Sequence, residues 1–164
     1  MPAKKYLKDK EAKQLFREFI QRYPISETFL RSVNVFEELP VDESSVFFLN
    51  GRPLILRTKS GLLPSLKFDE VINSLPKIVV DMGAVAHLVN GAHLMRPGIR
   101  EVPNDFVSGD LLLIVDEKFG KGIALGLADV NSTAMKSANK GKMVVNVHYV
   151  GDELWKSFTA GDAG

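Results

Sequence analysis

The sequence contains no cysteine, which removes several classes of chemistry at once. Disulfide bonds, thiol catalysis and cysteine-based zinc sites are excluded. Histidine is also scarce: the sequence has only His87, His93 and His148. Three histidines at these spacings are too few and too scattered to predict a metal site. No pair of them has the four-residue spacing that places two ligands on one helix face. We therefore expect neither a metal ion nor a cofactor.

Sequence motifs of common enzymes are missing as well. The chain has no Gly-x-Ser-x-Gly nucleophile elbow and no grouping of serine, histidine and aspartate in a suitable context. The Phe-Gly-Lys-Gly stretch at 119–122 lacks the preceding glycine and the following serine or threonine of a phosphate-binding loop. We expect the protein not to be an enzyme.

Long apolar runs and an excess of charge of one sign are also absent. No uninterrupted apolar stretch approaches the ~20 residues that span a bilayer, and none follows the opening residues MPAKKYLKDK. The 21 Lys and Arg residues nearly balance the 20 Asp and Glu residues, so the net charge is only +1. We expect a soluble, cytoplasmic protein without a membrane partner, in which any nucleic-acid contact depends on local cationic patches.

Residues 1–75 have the pattern of a small α+β domain. Apolar residues recur at three- and four-residue steps over 8–23, which predicts a helix that Pro24 ends. Strands are predicted at 33–37, 45–49 and 54–56. Asn50-Gly51 suits the centre of a tight hairpin turn, because both residues tolerate positive φ. A short helix is predicted at 68–75, just before the expected domain junction at 74–77.

Residues 76–158 are predicted to form a second domain, made mostly of short strands. The strand Ile78–Val80 leads to a short helix that the Asp81 carboxylate caps and Gly91 ends. Further strands are predicted at 94–95, in a hairpin over 110–130 and at 143–150. So many short strands in a small domain favour a partly closed β-barrel. A last helical turn is expected to pack on this barrel through Trp155 and Phe158, and residues 159–164 are predicted to be a disordered tail.

The stretch from Val79 to Glu101 combines an unusual charge pattern with a recognisable motif. Between Met82 and Arg100 it contains no acidic residue, and its cationic or titratable side chains are His87, His93, Arg96 and Arg100. Its residues match the run DxGA…GAxLxxPGI at Asp81, Gly83, Ala84, Gly91, Ala92, Leu94, Pro97, Gly98 and Ile99. With the later GDLLLIVDEKFGKGIALGLADV and GKMVVNVHYVGDELW, it strongly resembles the PUA domain. That domain is an RNA-binding pseudobarrel of pseudouridine synthases and archaeosine transglycosylases.

The closing NVHYVGDELW is similar to a narrower group. It resembles the malignant T-cell-amplified protein family, the related ligatin-type initiation factors and their short archaeal relatives. Members pair a small N-terminal α+β (pre-PUA) domain with a C-terminal PUA-type β pseudobarrel, which implies an α+β fold with domains at 1–75 and 76–158. The resemblance also implies a protein without enzymatic activity that binds the small ribosomal subunit and initiator tRNA, usually with a SUI1-type translation factor.

The resemblance places RNA binding at the corner between the short helix and the strand after it. Gly91 and Ala92 have little side-chain bulk, so an RNA backbone could approach the main chain there. The predicted RNA-binding residues of this corner are Gly91, Ala92, His93, Arg96, Pro97, Gly98 and Arg100. The alternative is that the glycines only permit turns and that the arginines lie on a solvated face.

Two lysine clusters are separate candidates for RNA binding. Lys118 and Lys121 flank the predicted hairpin loop, and Lys136, Lys140 and Lys142 lie in a segment free of acidic residues. The alternative is that each cluster only solubilises a turn. A true phosphate contact steepens the log–log salt dependence of binding by about 0.7–0.9.

Three hypotheses of function remain open at this point. The favoured one is a non-enzymatic RNA-binding protein that acts in translation on tRNA or small-subunit rRNA, with DNA not expected as a partner. The second is a tRNA-docking accessory subunit of an RNA-modifying enzyme. The third is a protein-interaction module that uses the apolar helix at 8–23. The first is favoured because residues 1–75 contain no acid/base or nucleophile constellation.

Overall fold

A computed structural model of the chain describes residues 3–159. They form two compact units, one of residues 3–72 together with 153–159 and one of residues 73–152. Within residues 3–159, no helix is long and apolar enough to cross a membrane. The predicted tail lies outside the described residues except for Thr159.

The first unit is an antiparallel five-stranded sheet with helices, as the α+β pattern predicts. The strands follow one another in the order β1 to β5. Its elements are β1 (Lys5–Tyr6), α1 (Asp9–Ile20), α2 (Glu27–Ser32), β2 (Phe36–Val41), β3 (Ser44–Leu49), β4 (Arg52–Thr58), β5 (Gly61–Pro64) and α3 (Asp69–Ile72). The tight turn is found where it was predicted, because Leu49 pairs with Arg52 and both Asn50 and Gly51 have positive φ.

The core of this unit forms where the apolar stripe of α1 meets aromatic side chains. Phe19 is fully buried and stacks on Phe68, with ring centroids 5.8 Å apart, and Phe29 contacts the same ring at 5.4 Å. Leu15 is also buried on the inner face of the helix. The stripe is therefore core, which leaves little of it for the protein-interaction hypothesis.

The last helix differs from its predicted placement. It is α6 (Glu153–Ser157), and it packs on β2 and β3 of the first unit. Its Trp155 ring contacts Phe158 at 5.6 Å and lies beneath the Lys67 ammonium at 4.5 Å. Both aromatic side chains thus pack as expected, but within the first unit, because partners so far away in sequence cannot be read from local periodicity.

The second unit is a six-stranded sheet in the order β7-β11-β10-β9-β6-β8, with β6 and β9 parallel and the other pairs antiparallel. Its elements are β6 (Lys77–Val80), α4 (Met82–Leu88), β7 (Leu94–Met95), β8 (Ile99–Glu101), β9 (Leu111–Asp116), β10 (Gly122–Ala128), α5 (Ser132–Ser137) and β11 (Lys142–Tyr149). The sequence interpretation missed α5, a helix of six residues that Asn131 caps.

The chain connectivity closes this sheet into a barrel. The two edge strands, β7 and β8, are separated by only three residues, which form a single helical turn at Arg96–Gly98 (the closing turn). Strands at opposite edges of a sheet can be joined by so short a link only if the sheet curls until its edges meet. The predicted partly closed barrel is therefore confirmed, and its interior is filled by apolar side chains such as Ile78, Leu112 and Val144.

Candidate nucleic-acid interface

Helix α4 begins at the residue that the sequence predicted. Asp81 Oδ1 accepts a hydrogen bond of 2.8 Å from the backbone N–H of Ala84. The backbone N–H of Asp81 donates to Gly98 O at 3.0 Å, which ties the start of the helix to the closing turn. The Asp81 carboxylate itself thus occupies the anion position at the helix N-terminus.

Gly91 ends α4 in the left-handed conformation that was predicted. Its φ is +91°, and the N–H of the next residue, Ala92, reaches back to His87 O at 3.1 Å. A Cβ on Gly91 would lie only 3.1 Å from the Tyr149 hydroxyl. Backbone conformation and packing therefore account for this glycine without an RNA contact.

Asn146 on β11 holds the segment after the helix in place. Its Nδ2 donates to Leu88 O at 3.1 Å and to Ala92 O at 3.0 Å. Its backbone N–H donates to His93 Nδ1 at 3.0 Å. Because Nδ1 accepts this bond, the neutral His93 ring carries its proton on Nε2, which leaves an N–H donor for a ligand.

Arg96 holds three parts of the barrel together. Its Nε donates to Met135 O at 2.8 Å, its Nη1 to Ile99 O at 3.3 Å and its Nη2 to Lys136 O at 3.4 Å. Met135 and Lys136 lie in the last turn of α5, whose carbonyls lack partners inside the helix and attract a cation. The guanidinium predicted to face RNA therefore points its donors at the protein.

Gly98 is required by close packing. A Cβ built on it would lie 2.7 Å from the Ala84 Cβ, so the closing turn can approach α4 only without a side chain at this position. Pro97 precedes it, is exposed, and its fixed φ suits the second position of the turn.

These elements enclose an open cleft of about 490 Å³ between α4, β7 and the closing turn (the α4 cleft). It is lined by Asp81, Gly83, Ala84, His87, Leu88, Ala92, His93, Leu94, Met95, Pro97 and Gly98. Four of the predicted residues thus meet here: Ala92, His93, Pro97 and Gly98. The other corner residues, Gly91, Arg96 and Arg100, do not line it, whereas His87 and Met95 do and were not predicted.

The remaining predicted cations lie outside the α4 cleft and are exposed. Arg100 on β8 pairs with Glu117 at 3.4 Å, so its charge is partly balanced. Lys118 and Lys121 lie in the connection between β9 and β10, Lys136 in α5, Lys140 after it, and Lys142 at the start of β11. Among residues 3–159, none of these five lysines forms an ion pair.

The connection of residues 117–121 (the 117–121 loop) is built around one buried carboxylate. Asp116 is 3% exposed, and it accepts hydrogen bonds from the backbone N–H groups of Lys118, Phe119 and Lys121. These bonds hold the pKa of Asp116 below its usual value against the opposing effect of burial, and the bond from the Phe119 N–H has the largest effect.

This carboxylate gives a testable dependence of stability on pH. Because the folded-state pKa of Asp116 is lowered, its stabilising effect is present above the unfolded pKa of about 4 and is lost as the pH falls through the lower folded pKa. We expect Asp116→Asn to lower the urea midpoint at pH 7, with a gap from the natural protein that narrows towards pH 2. A gap independent of pH would contradict this account.

Some functional candidates escaped the sequence reasoning. Asn146 acts through hydrogen bonds with residues distant in sequence, and Asp116 acts through hydrogen bonds from backbone N–H groups. No sequence motif predicts either kind of contact. His87 was noted but had no assigned role, although its place one turn before Gly91 on a short amphipathic helix signals exposure. Within residues 3–159, no group of three or more His, Cys, Asp or Glu side chains could hold a metal ion.

Comparison with known proteins assigns a family to each half of the chain. The model of the PUA domain matches residues 76–150, and the model called Domain of unknown function (DUF1947) matches residues 3–68. A solved PUA-domain protein from Thermoplasma acidophilum shares 28% identity and a TM-score of 0.75, over 95% of this chain and 99% of that one.

Relatives resemble the chain across both halves. An uncharacterized protein of Methanocaldococcus jannaschii is 33% identical, over 92% of this chain and 93% of its own. Translation machinery-associated protein 20 of Schizosaccharomyces pombe is 31% identical, over 71% and 67%. Malignant T-cell-amplified sequence 1-B of Xenopus laevis is 24% identical, over 91% and 88%. The chain therefore joins a DUF1947 domain to a PUA domain and belongs to the family that includes translation machinery-associated protein 20.

Proposed function

We propose that this protein binds RNA without catalysing a reaction, that it acts in translation, and that its target is the small ribosomal subunit or initiator tRNA. The α4 cleft carries the proposal, because it is an open, concave site at the PUA motif of the chain. The cellular process is inferred from the names of the relatives, since three of them are called translation machinery-associated protein 20.

The chemistry of the α4 cleft favours an unpaired nucleotide. Its walls are apolar at Ala84, Leu94 and Pro97, and its volume of about 490 Å³ lies in the range of small-ligand sites. His87 and His93 are exposed at its surface and offer ring N–H groups to a base edge or a phosphate. Double-stranded RNA presents no free base to such a site, whereas an end or a loop does.

Phosphate contacts are assigned to the exposed lysines and not to Arg96. Lys142 pairs in register with Met95, a residue of the cleft wall, so this cation lies on the strand next to the α4 cleft. Lys136 and Lys140 belong to the same α5–β11 segment. Cations beside a site for bases match the usual arrangement, in which contacts to phosphates position the protein on the RNA and contacts to bases determine sequence specificity.

The first unit supplies the second contact of the proposal. Its helix α1 carries an exposed, strongly charged face that includes Lys10, Lys13 and Arg17. We assign this unit to the ribosome or to a protein partner such as a SUI1-type translation factor. Co-sedimentation of the whole protein with small ribosomal subunits, lost as salt is raised, is the observation expected.

A wall substitution tests RNA binding by the α4 cleft. Met95 is 49% exposed, so Met95→Glu adds a carboxylate to the cleft without disturbing the core. We expect it to weaken filter binding of initiator tRNA by about tenfold or more, because the carboxylate repels phosphate and must be desolvated against a base. Val107, 62% exposed and outside the α4 cleft, provides the control Val107→Glu.

Two outcomes would contradict the proposal. One is that the natural protein binds initiator tRNA and small subunits no better than random RNA. The other is that Met95→Glu and Val107→Glu change binding equally, since the effect would then come from net charge and not from the α4 cleft. Melting curves followed by circular dichroism establish that both variants are folded.

A further inference from the structure

The 117–121 loop, which lies outside the α4 cleft, carries an exposed aromatic side chain. Phe119 at its tip is 79% exposed, although a phenylalanine ring is normally buried. Lys118 and Lys121 stand on either side of it. An apolar ring between two cations at a hairpin tip is suited to a ligand that is flat, apolar on its faces and anionic at its edges.

The loop is held in one conformation before any ligand arrives. The Asp116 carboxylate accepts three backbone N–H groups of the loop, and Gly120 supplies a φ of +64°. At the loop's base, Glu117 donates its N–H to Val80 O at 2.9 Å and pairs through its side chain with Arg100. Binding at the tip therefore loses little conformational entropy, which favours affinity.

The topology places this loop at the same end of the sheet as the α4 cleft, where the carboxyl ends of β6 and β9 lie side by side. Strands β6 and β9 are parallel, and Val80 pairs with Asp116 at their ends. The chain leaves β6 through Asp81, which lines the α4 cleft, and leaves β9 into the 117–121 loop. An RNA strand that is bound in the cleft and extends across this end of the sheet would meet the Phe119 ring.

We propose that Phe119 stacks on a second unpaired nucleobase of the RNA bound at the α4 cleft, and that Lys118 and Lys121 contact the phosphates on either side of this base. This inference rests on the proposed RNA binding and adds to it a site for a single-stranded segment. Stacking on an aromatic ring flanked by cations is how proteins hold single strands, and it tolerates any base. RNA is favoured over an anionic membrane as the ligand of the ring, because the ring lies at the same end of the sheet as the α4 cleft.

Substitution of the ring separates stacking from charge. We expect Phe119→Ala to weaken binding of initiator tRNA by about 5- to 100-fold and to leave the salt dependence unchanged, because no cation is lost. The variant Phe119→Trp should retain affinity, and its added tryptophan fluorescence should be quenched by the RNA. Lys118→Ala and Lys121→Ala should each reduce the log–log salt slope by about 0.7–0.9. Val107→Ala, which removes apolar bulk at the opposite end of β9, is the control expected to change nothing.

The outcomes distinguish this inference from the proposed function. If the natural protein prefers initiator tRNA and Met95→Glu weakens it, but Phe119→Ala has no effect, the stacking inference is overturned while RNA binding at the α4 cleft stands. If neither the natural protein nor any variant discriminates among RNAs, the proposed function itself fails. Sedimentation with vesicles of 70% phosphatidylcholine and 30% phosphatidylserine tests the membrane alternative. Vesicle binding that Phe119→Ala abolishes, with RNA binding intact, would also overturn the inference.

Discussion

Replacing Arg96 with methionine is expected to lower the free energy of unfolding of the second unit by about 2–3 kcal/mol. Methionine retains much of the apolar stem but removes all three hydrogen bonds, and so leaves the carbonyls of Met135, Lys136 and Ile99 without this donor. Bonds from a charged donor are the stronger kind, and partial exposure to water moderates the loss. Urea unfolding, with hydrogen exchange of the amides at 73–152, measures it.

Arg96→Lys sharpens this test. Lysine keeps the positive charge but cannot present the planar fork that reaches three carbonyls in different directions. We expect a loss of stability close to that of Arg96→Met. Arg100→Met is the matched control, since Arg100 is exposed and makes one long ion pair, and it should cost about 0–1 kcal/mol.

The two explanations of Arg96 predict opposite results. If this guanidinium contacts RNA, as the sequence motif implied, Arg96→Lys should retain most of the RNA affinity and the stability should hardly change. If it fastens the closing turn to α5, as the geometry indicates, stability should fall with either substitution. An Arg96→Lys protein as stable as the natural one would refute the structural role.

Replacing Gly98 with alanine is expected to destabilise the second unit by about 1–3 kcal/mol. The new Cβ would lie 2.7 Å from the Ala84 Cβ, a separation that forces the closing turn away from α4. Both residues line the α4 cleft, so the same shift should weaken RNA binding. Urea unfolding and filter binding of one protein sample measure the two effects together.

A double substitution shows whether the clash is the cause. Ala84→Gly removes the atom that the new Cβ would meet, and by itself it should cost about 1 kcal/mol through lower helix propensity. If steric overlap dominates, Gly98→Ala should cost much less in the Ala84→Gly background than in the natural protein. Additive losses would instead mean that the conformation of residue 98 matters and that its contact with Ala84 does not.

Much of the fold followed from local patterns in the sequence. The Asn50-Gly51 turn, the Asp81 cap and the Gly91 helix end were all predicted, because each depends on the conformation or hydrogen bonding of neighbouring residues. Helix α5 was missed, since six residues with only Ser132 and Met135 buried give too short a pattern to detect.

The candidate site was predicted only in part. The motif indicated the corner, and Ala92, His93, Pro97 and Gly98 do line one cleft. The lysines were predicted from charge alone, and their contacts with RNA stay a prediction. Phe119 was not singled out, because a phenylalanine in a hairpin sequence is usually core and only its exposure reveals it.

By itself, the sequence predicted most of the helices, strands and turns, the absence of cysteine chemistry, and the motif at the corner between α4 and the closing turn. These properties depend on residue type and on spacing within about ten positions. Only the tertiary structure decided which strands form the two edges that the closing turn joins, that Arg96 binds carbonyls 39 and 40 residues further along the chain, and that α6 packs with the first unit. The reason is physical: a side chain's partner is set by where the folded backbone carries it, and an arginine has the same charge whether it faces RNA or the carbonyl groups of a helix distant in sequence.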